Sequence, residues 1–409
     1  MSDSTTASQA HEPGAPLLDR RAALACLVAL AACGGVGEDG TGGPQPAFSV
    51  GVLQGLGDGT LTVNGVAYDK TSAAVTDGFG QALSADALRL GMWVEVTGTY
   101  DDGTGIGVAA AIRVRPAARG VVTAVGNNSG PSAGEQGAPG SLSITLLEST
   151  ATYDGAATVI EGVDSAEQLQ AGDLVEVHGP LGSSPGTVAA TRLERFAAAV
   201  PERGFELRGR ISNLDTAART MTVGRQPVDY AGATLTLRQA PANGQVVRVA
   251  SAQPPVSGQP WPVERLASDQ VQPPNLGFFY AEGVTSDWQS GPRFAIESLP
   301  VDATAATGRA QITGNDQRVA VLGSLRDGVL VAKAVTVVTP GQPTVFKLSG
   351  LVGKYVSTAD FLVRAVSIDA SAASYVNGSA GDIADGRRVA VTGTVLGRRI
   401  VASKVEFLA

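Results

Sequence analysis

Few side chains in this chain are of the types that carry catalysis or bind metals. Its 409 residues include two histidines and two cysteines, too few to build a metal cluster from those ligands. One of the histidines, His178, lies in the alternating segment Gly172 to Gly179. If that segment is a β-strand, Val175 and Val177 lie on one face and His178 on the other. Without a neighbouring nucleophile motif the sequence supports no catalytic triad, so we expect His178 to be an ordinary outward-facing residue that tolerates replacement.

Two glutamates occupy the same position in two similar segments. Glu95 lies in Gly91 to Gly98 and Glu176 lies in Gly172 to Gly179, each between two valines. Glycoside hydrolysis needs two carboxylates, so a carboxylate pair between domains is one hypothesis. No spacing in the sequence brings the two glutamates together. Since an unpaired buried carboxylate is costly, we expect the valines to be buried and both glutamates to face water.

Trp93 lies on the outward face of the same strand as Glu95. An exposed ring at this place could stack on a sugar, whereas a buried ring would pack against a neighbouring domain. The matching residues in similar segments are Leu174, Val246, Arg318 and Arg388. Because none of them is aromatic, the chain has no repeated stacking platform. We therefore interpret Trp93, with the two glutamates, as a ligand face or an inter-domain contact, and favour the contact.

Asp101 and Asp102 could offer oxygen ligands to a hard cation. They begin the run Asp101-Asp102-Gly103-Thr104-Gly105, which lacks the alternating acidic spacing and closing glutamate of an EF-hand loop. Asp-Gly is by itself a strong hairpin signal. A hairpin is the favoured interpretation, and a cation site is the weaker alternative.

The N-terminal segment has the pattern of an export signal. Arg20 and Arg21 precede an apolar run of 11 residues, Ala22 to Ala32, which Cys33 follows. A membrane-spanning helix needs about 20 residues, whereas the apolar core of a signal peptide has about 7–15. The arginine pair leaves twin-arginine export open, although Ala23 stands where that signal usually has a bulky apolar residue. We favour the general secretory route.

The end of the apolar run, Leu30-Ala31-Ala32-Cys33, resembles the lipobox of bacterial lipoproteins. The resemblance implies that residues 1–32 are a signal peptide and that Cys33 becomes the acylated first residue. Several acyl chains give a stable membrane anchor. Gly34, in place of an aspartate after the cysteine, favours the outer membrane. We expect the protein on the periplasmic face of that membrane. Residues 33–47 are rich in glycine and predict a flexible tether.

The segment that contains Glu95 recurs along the chain. Gly91 to Gly98 returns as Gly172 to Gly179 and as Gly386 to Gly393, with degenerate copies at 244–250 and 318–323. Each copy has an opening strand upstream, a closing strand downstream and, in the clearer copies, a short serine-capped helical turn before it. Five strands with a helix after the third are typical of the OB-fold, a Greek-key barrel. The sequence therefore predicts an all-β tandem array of five small five-stranded OB-like barrels. The predicted modules are residues 48–116, 117–200, 201–270, 271–340 and 341–409, of which the third and fourth are degenerate.

The repeated strand, the short helix before it and the closing strand resemble secreted bacterial repeat proteins known only as a domain of unknown function. That family is regarded as OB-like and often occurs in lipoproteins, which agrees with the lipobox. It has no established catalytic residues, so the resemblance implies no site.

Composition narrows the function without identifying it. The net charge of −8 and the pI of about 5.0 argue against a nucleic-acid partner, which needs a basic footprint. Domains this small bury little surface by themselves, so without disulfides we expect them to lean on one another, that is, to pack together for stability. We expect a membrane-anchored, non-enzymatic lipoprotein of the bacterial cell envelope that acts as a binding or scaffold array. It would have no cofactor, and a glycan, a cation or a protein is the expected ligand. The alternative is a carboxylate-dependent hydrolase acting on glycans, with its site between barrels.

Overall fold

The computed structural model describes residues 43–127, 142–197, 203–271 and 273–409. The predicted signal peptide, Cys33 and most of the tether lie outside these residues. Residues Gly42–Ala409 form one compact unit. Among the described residues, no helix is long and apolar enough to cross a membrane. The unit is all-β, with small barrel-like sheets.

The strands of the first module form a closed ring. They are β1 (Gln45–Leu56), β2 (Thr60–Val63), β3 (Val66–Asp69), β4 (Ala74–Thr76), β5 (Trp93–Asp101) and β6 (Ile106–Val114), with a 3-10 helix at Ala85–Ala87. β1 pairs with β2, β2 pairs with β3, and β3 lies parallel to β6. β6 pairs with β5, which pairs back with β1 and closes the ring. Because β1 begins at Gln45, the end of the predicted tether belongs to the first strand.

The second and third modules follow the same order, but their closing strands are divided. The second has β7 (Pro116–Asn127), β8 (Leu142–Leu146), β9 (Ser149–Tyr153), β10 (Val159–Glu161), a 3-10 helix at Ala166–Gln168, β11 (Leu174–His178), β12 (Thr187–Ala189) and β13 (Arg192–Phe196). The third has β14 (Phe205–Asp215), β15 (Thr220–Val223), β16 (Gln226–Asp229), β17 (Thr234–Thr236), β18 (Val246–Ser251), β19 (Trp261–Pro262) and β20 (Arg265–Ser268). The break after β19 falls at Pro262, which has no N–H to donate to a ladder.

The fourth and fifth modules repeat the undivided ring. The fourth has β21 (Leu276–Ser286), β22 (Arg293–Ile296), β23 (Leu299–Asp302), a 3-10 helix at Arg309–Gln311, β24 (Arg318–Arg326) and β25 (Val329–Val337). The fifth has β26 (Val345–Ser357), β27 (Asp360–Val363), β28 (Val366–Asp369), β29 (Ser374–Val376), a 3-10 helix at Ala380–Asp382, β30 (Arg388–Leu396) and β31 (Arg399–Phe407). β23 lies parallel to β25, and β28 lies parallel to β31.

One short strand in several modules was not expected. β4, β10, β17 and β29 each follow the third strand and lie parallel to the closing strand. In the fourth module a parallel bridge between Thr307 and Ala334 takes the same place.

Pairing between modules does not follow the order of the chain. β1 lies parallel to both β21 and β26, while β7 pairs antiparallel with β14. Among the described residues, hydrogen bonds therefore join the first, fourth and fifth modules in a sheet of 17 strands, and the second and third in a sheet of 14. The expectation that small modules lean on one another is met through sheet edges as well as through side chains.

The repeated valines lie in the cores, as the alternation predicts. They are Val94, Val96, Val175, Val177, Val389 and Val391, and none is more than 1% exposed. The register of the repeated strand is therefore the predicted one. Two of the three predicted capped turns are present: the Ser84 hydroxyl accepts the N–H of Asp86 at 3.2 Å, and Ser379 forms a capping box with Asp382. The third turn, Ala166–Gln168, is formed, but the Ser165 side chain makes no capping hydrogen bond.

The last residue of the repeated segment is glycine because the neighbouring backbone comes too close for a side chain, although the strands themselves continue beyond it. At Gly98 and Gly393 the register with the closing strand shifts by a β-bulge. A Cβ atom on Gly98 would collide with the carbonyl oxygen of Val108, and one on Gly393 with that of Val401. The bulge thus explains why the repeated segment ends in glycine.

Candidate functional site

A network of charged side chains lies buried where the first four modules meet. Its centre is Asp269, just after β20, which is 0% exposed. Within the described residues, four guanidinium groups lie within ion-pair distance of its carboxylate: Arg208 at 2.7 Å, Arg115 at 2.9 Å, and Arg113 and Arg248 at 3.4 Å. Burial raises the pKa of this carboxyl, but the charges of the surrounding arginines outweigh burial and hold the pKa well below its usual range. The Asp269 side chain is therefore a carboxylate that holds the four arginines together.

The network continues from Asp269 into the other modules. Arg248 also pairs with Glu206, and Glu206 lies 3.3 Å from Arg119 of the second module. Arg208 also pairs with Glu297, which lies in the turn between β22 and β23 of the fourth module. In the described part of the chain the network contains five arginines and five carboxylates, so its formal charge is zero. The members are Arg113, Arg115, Arg119, Arg208, Arg248, Glu95, Glu176, Glu206, Asp269 and Glu297.

Glu176 is buried, contrary to the expectation that it faces water. It does point away from the valine core of its barrel, but the second module packs that face against its neighbours. Its carboxylate accepts from Arg119 Nε at 2.6 Å and lies 2.8 Å from His178 Nε2. Burial raises the pKa of Glu176, but Arg119 and His178 lower it by more, so the pKa lies below its usual range. The outward face of this strand is an interface.

His178 is likewise not the exposed residue that the alternation predicts, since it is 0% exposed. Its Nδ1 accepts the backbone N–H of Trp93 at 3.3 Å. With Nδ1 as the acceptor, Nε2 carries the proton and donates to Glu176. The ring therefore bridges the first and second modules.

Trp93 and Glu95 lie at the same junction. Trp93 is fully buried, so its ring is not available to stack on a ligand from solvent. Glu95 is half-buried, with Arg113 Nη2 at 2.6 Å and Arg115 Nη1 at 3.7 Å. Among the described residues, Glu95 and Glu176 are linked by a series of ion pairs through Asp269 and Glu206 and make no direct contact.

A cleft of about 220 Å³ lies between the first and fifth modules. Parallel pairing of Leu56 with Leu348 joins β1 to β26 there, and both leucines line the cleft. Its charged lining consists of Lys70, Arg89, Arg364 and Asp86.

Two segments of the chain are similar to a known protein family. Residues 50–113 and 119–194 match the family described as a domain of unknown function, DUF5666. The predicted resemblance is thereby confirmed for the first two modules. No curated protein and no solved structure matches the chain.

The ion network crosses the limits of the two DUF5666 segments. Glu95 and Arg113 lie in the first segment, and Arg119, Glu176 and His178 lie in the second. Their partners Glu206, Arg208, Arg248, Asp269 and Glu297 follow both segments. The network therefore joins the two DUF5666 segments to the later modules.

The two aspartates predicted as weak cation ligands lie in a hairpin. Asp101 and Asp102 belong to the β5–β6 hairpin, where Asp101 accepts the N–H of Gly103 at 2.8 Å and Asp102 accepts from Gln45 Nε2 at 2.7 Å. No group of three or more histidine, cysteine or acidic side chains is placed to hold a metal ion within the described ranges. Cys33 and its signal residues Arg20, Arg21, Leu30, Ala31 and Ala32 lie outside the described residues.

One feature of the sequence that the predictions above leave out points to the network. The repeat position of Glu95 and Glu176 holds an arginine, Arg248, in the third module. Opposite charges at equivalent outward positions of packed modules are able to pair. The arginines on the opening and closing strands, such as Arg115 and Arg208, carried no such signal.

Proposed function

We propose that this protein is a non-enzymatic lipoprotein of the bacterial cell envelope in which five OB-like barrels form one rigid binding scaffold. Cys33 would anchor it to the periplasmic face of the outer membrane. In the first module β1 pairs with β2, β2 with β3, β3 in parallel with β6, β6 with β5, and β5 again with β1. The fourth and fifth modules repeat this order, and the second and third follow it with the closing strand divided in two. That order is the strand order of an OB barrel, which supports the count of five.

The observation that carries the proposal is the buried ion network around Asp269. Removing one partner of such a network leaves an uncompensated charge in the interior, which typically lowers the free energy of unfolding by about 3–5 kcal/mol. Independent movement of the first four modules would separate Arg115, Arg208 and Glu297 from their partners. A fixed arrangement is therefore favoured, and it suits a scaffold better than a string of free domains.

The same network disfavours the glycan hydrolase alternative. A glycosidase needs one carboxyl group that stays protonated until it donates to the leaving oxygen, and such a group has a raised pKa. Glu176 has a lowered pKa because Arg119 and His178 stabilise its charge. Glu95 is paired with Arg113. Both glutamates are thus better suited to holding modules together than to acid catalysis.

Membrane anchoring is tested by replacing each of the two cysteines in turn. Cys33→Ser removes the acylation site, so we expect loss of incorporated lipid label and release of the protein from the membrane fraction. Cys26→Ser is the matched control, because Cys26 lies inside the apolar run and should leave label and fractionation unchanged. Lipid label that persists in the Cys33→Ser protein would contradict the anchor. The rigid scaffold is tested separately, by the number of unfolding transitions.

A further inference from the structure

The cleft between the first and fifth modules carries an excess of positive charge. Lys70, Arg89 and Arg364 line it, against one carboxylate, Asp86. Asp58 at its edge pairs with Arg364 and with Arg388 of the fifth module. Counting all six groups gives four bases and two acids, a formal charge of 4 − 2 = +2. The whole chain has a net charge of −8, so the cleft has the opposite sign to its surroundings.

Two of these cations are held by neutral groups. Lys70 Nζ donates to the carbonyl oxygen of Asp58 at 2.9 Å. Arg89 Nη1 donates to the carbonyl oxygens of Asp86 and Leu88, the latter at 3.0 Å. Within the described ranges neither Lys70 nor Arg89 forms an ion pair with a carboxylate. Partial burial lowers the pKa of Lys70, and the nearby charge of Arg364 lowers it further. The charges of Asp86 and Asp69 act in the opposite direction and raise the pKa of Lys70.

The uncharged side chains that line the cleft are apolar. Leu56 and Leu348 belong to paired strands, and Leu88 and Leu90 lie on either side of Arg89. All four leucines are buried. The volume of about 220 Å³ is below the range of about 300–1,000 Å³ found for drug-sized ligands. A compact group fits this space better than a polymer segment.

We propose that this cleft binds a phosphate monoester. Such a group carries about −1.5 to −2 charge at neutral pH, which matches the formal +2 of the cleft. Guanidinium and ammonium groups are the side chains that bind phosphate oxygens. A sugar phosphate and a phospholipid head group share this chemistry. The inference rests on the part of the proposed function in which the protein binds a ligand.

Isothermal titration of the purified full-length protein at low salt tests the site. Glucose 1-phosphate should bind saturably and glucose should not. Lys70→Gln and Arg89→Gln should each weaken binding about tenfold, which corresponds to about 1.4 kcal/mol. Lys70→Arg keeps the charge and should retain binding. Lys333→Gln removes an exposed lysine on β25 and is the matched control, with unchanged affinity expected.

A second pair of probes distinguishes the two sources of phosphate. Dihexanoyl phosphatidic acid, used below its micelle concentration, has a phosphate monoester on a lipid, and dihexanoyl phosphatidylcholine lacks one. Tighter binding of phosphatidic acid than of glucose 1-phosphate, lost in Lys70→Gln, assigns the site to a lipid head group. The reverse order assigns it to a soluble phosphate.

The proposal is overturned if neither phosphate monoester binds, or if Lys70→Gln binds them as well as Lys333→Gln does. The unfolding temperatures of the variants should be equal, which shows that a loss of affinity does not come from a loss of folded protein. A negative result here, with membrane anchoring and a single unfolding transition intact, would leave the scaffold standing. The two failures are thus distinguishable.

Discussion

His178 uses both of its ring nitrogens, and one of them contacts the first module. One nitrogen accepts the backbone N–H of Trp93, and the other donates to Glu176, which Arg119 also holds. A buried donor or acceptor that loses its partner costs about 1–3 kcal/mol. The ring thus has a structural role that depends on its two nitrogens, and a smaller polar side chain cannot reach both partners.

Replacing His178 by threonine, the residue at the matching position of the first and fifth modules, should therefore be destabilising. We expect a loss of about 2 kcal/mol or more in the free energy of unfolding, because Trp93 N–H and a Glu176 oxygen lose their partner. Denaturant unfolding measures it. Thr392→Ala is the control at the same repeat position, where the side chain is half-exposed, and it should change stability by about 0.5 kcal/mol or less. Equal effects of the two substitutions would refute the bridging role.

The repeated strand is the element that sequence reasoning described best. Its valines alternate with outward residues, and its last glycine marks a β-bulge against the closing strand. Both features follow from local geometry, since side chains alternate on every strand and a close backbone approach excludes a Cβ atom. Val94 and Val96 are accordingly where the pattern predicts them to be.

Gly98→Ala tests the role of the bulge. The added methyl group would meet the carbonyl oxygen of Val108, so the β5–β6 pairing must shift, at a cost of about 1–3 kcal/mol. Gly353→Ala is the matched control on strand β26, because a Cβ atom added there would have no other atom within 4 Å. We expect it to change stability by less than about 1 kcal/mol, in the stabilising direction. A Gly98→Ala protein as stable as the control would contradict the close approach.

The outward face of the repeated strand shows where prediction from sequence fails. Alternation separates the two faces of a strand but does not say what covers the outer one. Glu176 and His178 are buried because other modules pack on that face. The partners are far apart in the chain: Arg115 and Asp269 are separated by 154 residues. Local patterns therefore predicted the small barrel-like sheets, whereas the contacts between modules join residues that are far apart in the sequence.

At the level of the whole molecule, the tandem order of the modules is not their spatial order. The first module pairs by strand edges with the fourth and the fifth, and the second pairs with the third. The network around Asp269 then connects the first, second, third and fourth modules across the two sheets. This arrangement makes a single unit of domains that are individually small.

The central claim is that the barrels behave as one cooperative unit held by the Asp269 network, and scanning calorimetry tests it most directly. The protein should unfold in one transition, with the calorimetric enthalpy equal to the van't Hoff enthalpy. Asp269→Asn should destabilise it by about 3–5 kcal/mol, because three buried arginines and the partly exposed Arg113 lose the carboxylate charge that they share. Asp302→Asn, at an exposed pair with Arg293, should cost less than about 1 kcal/mol. Several separate transitions in the unaltered protein, or equal effects of the two substitutions, would contradict the account.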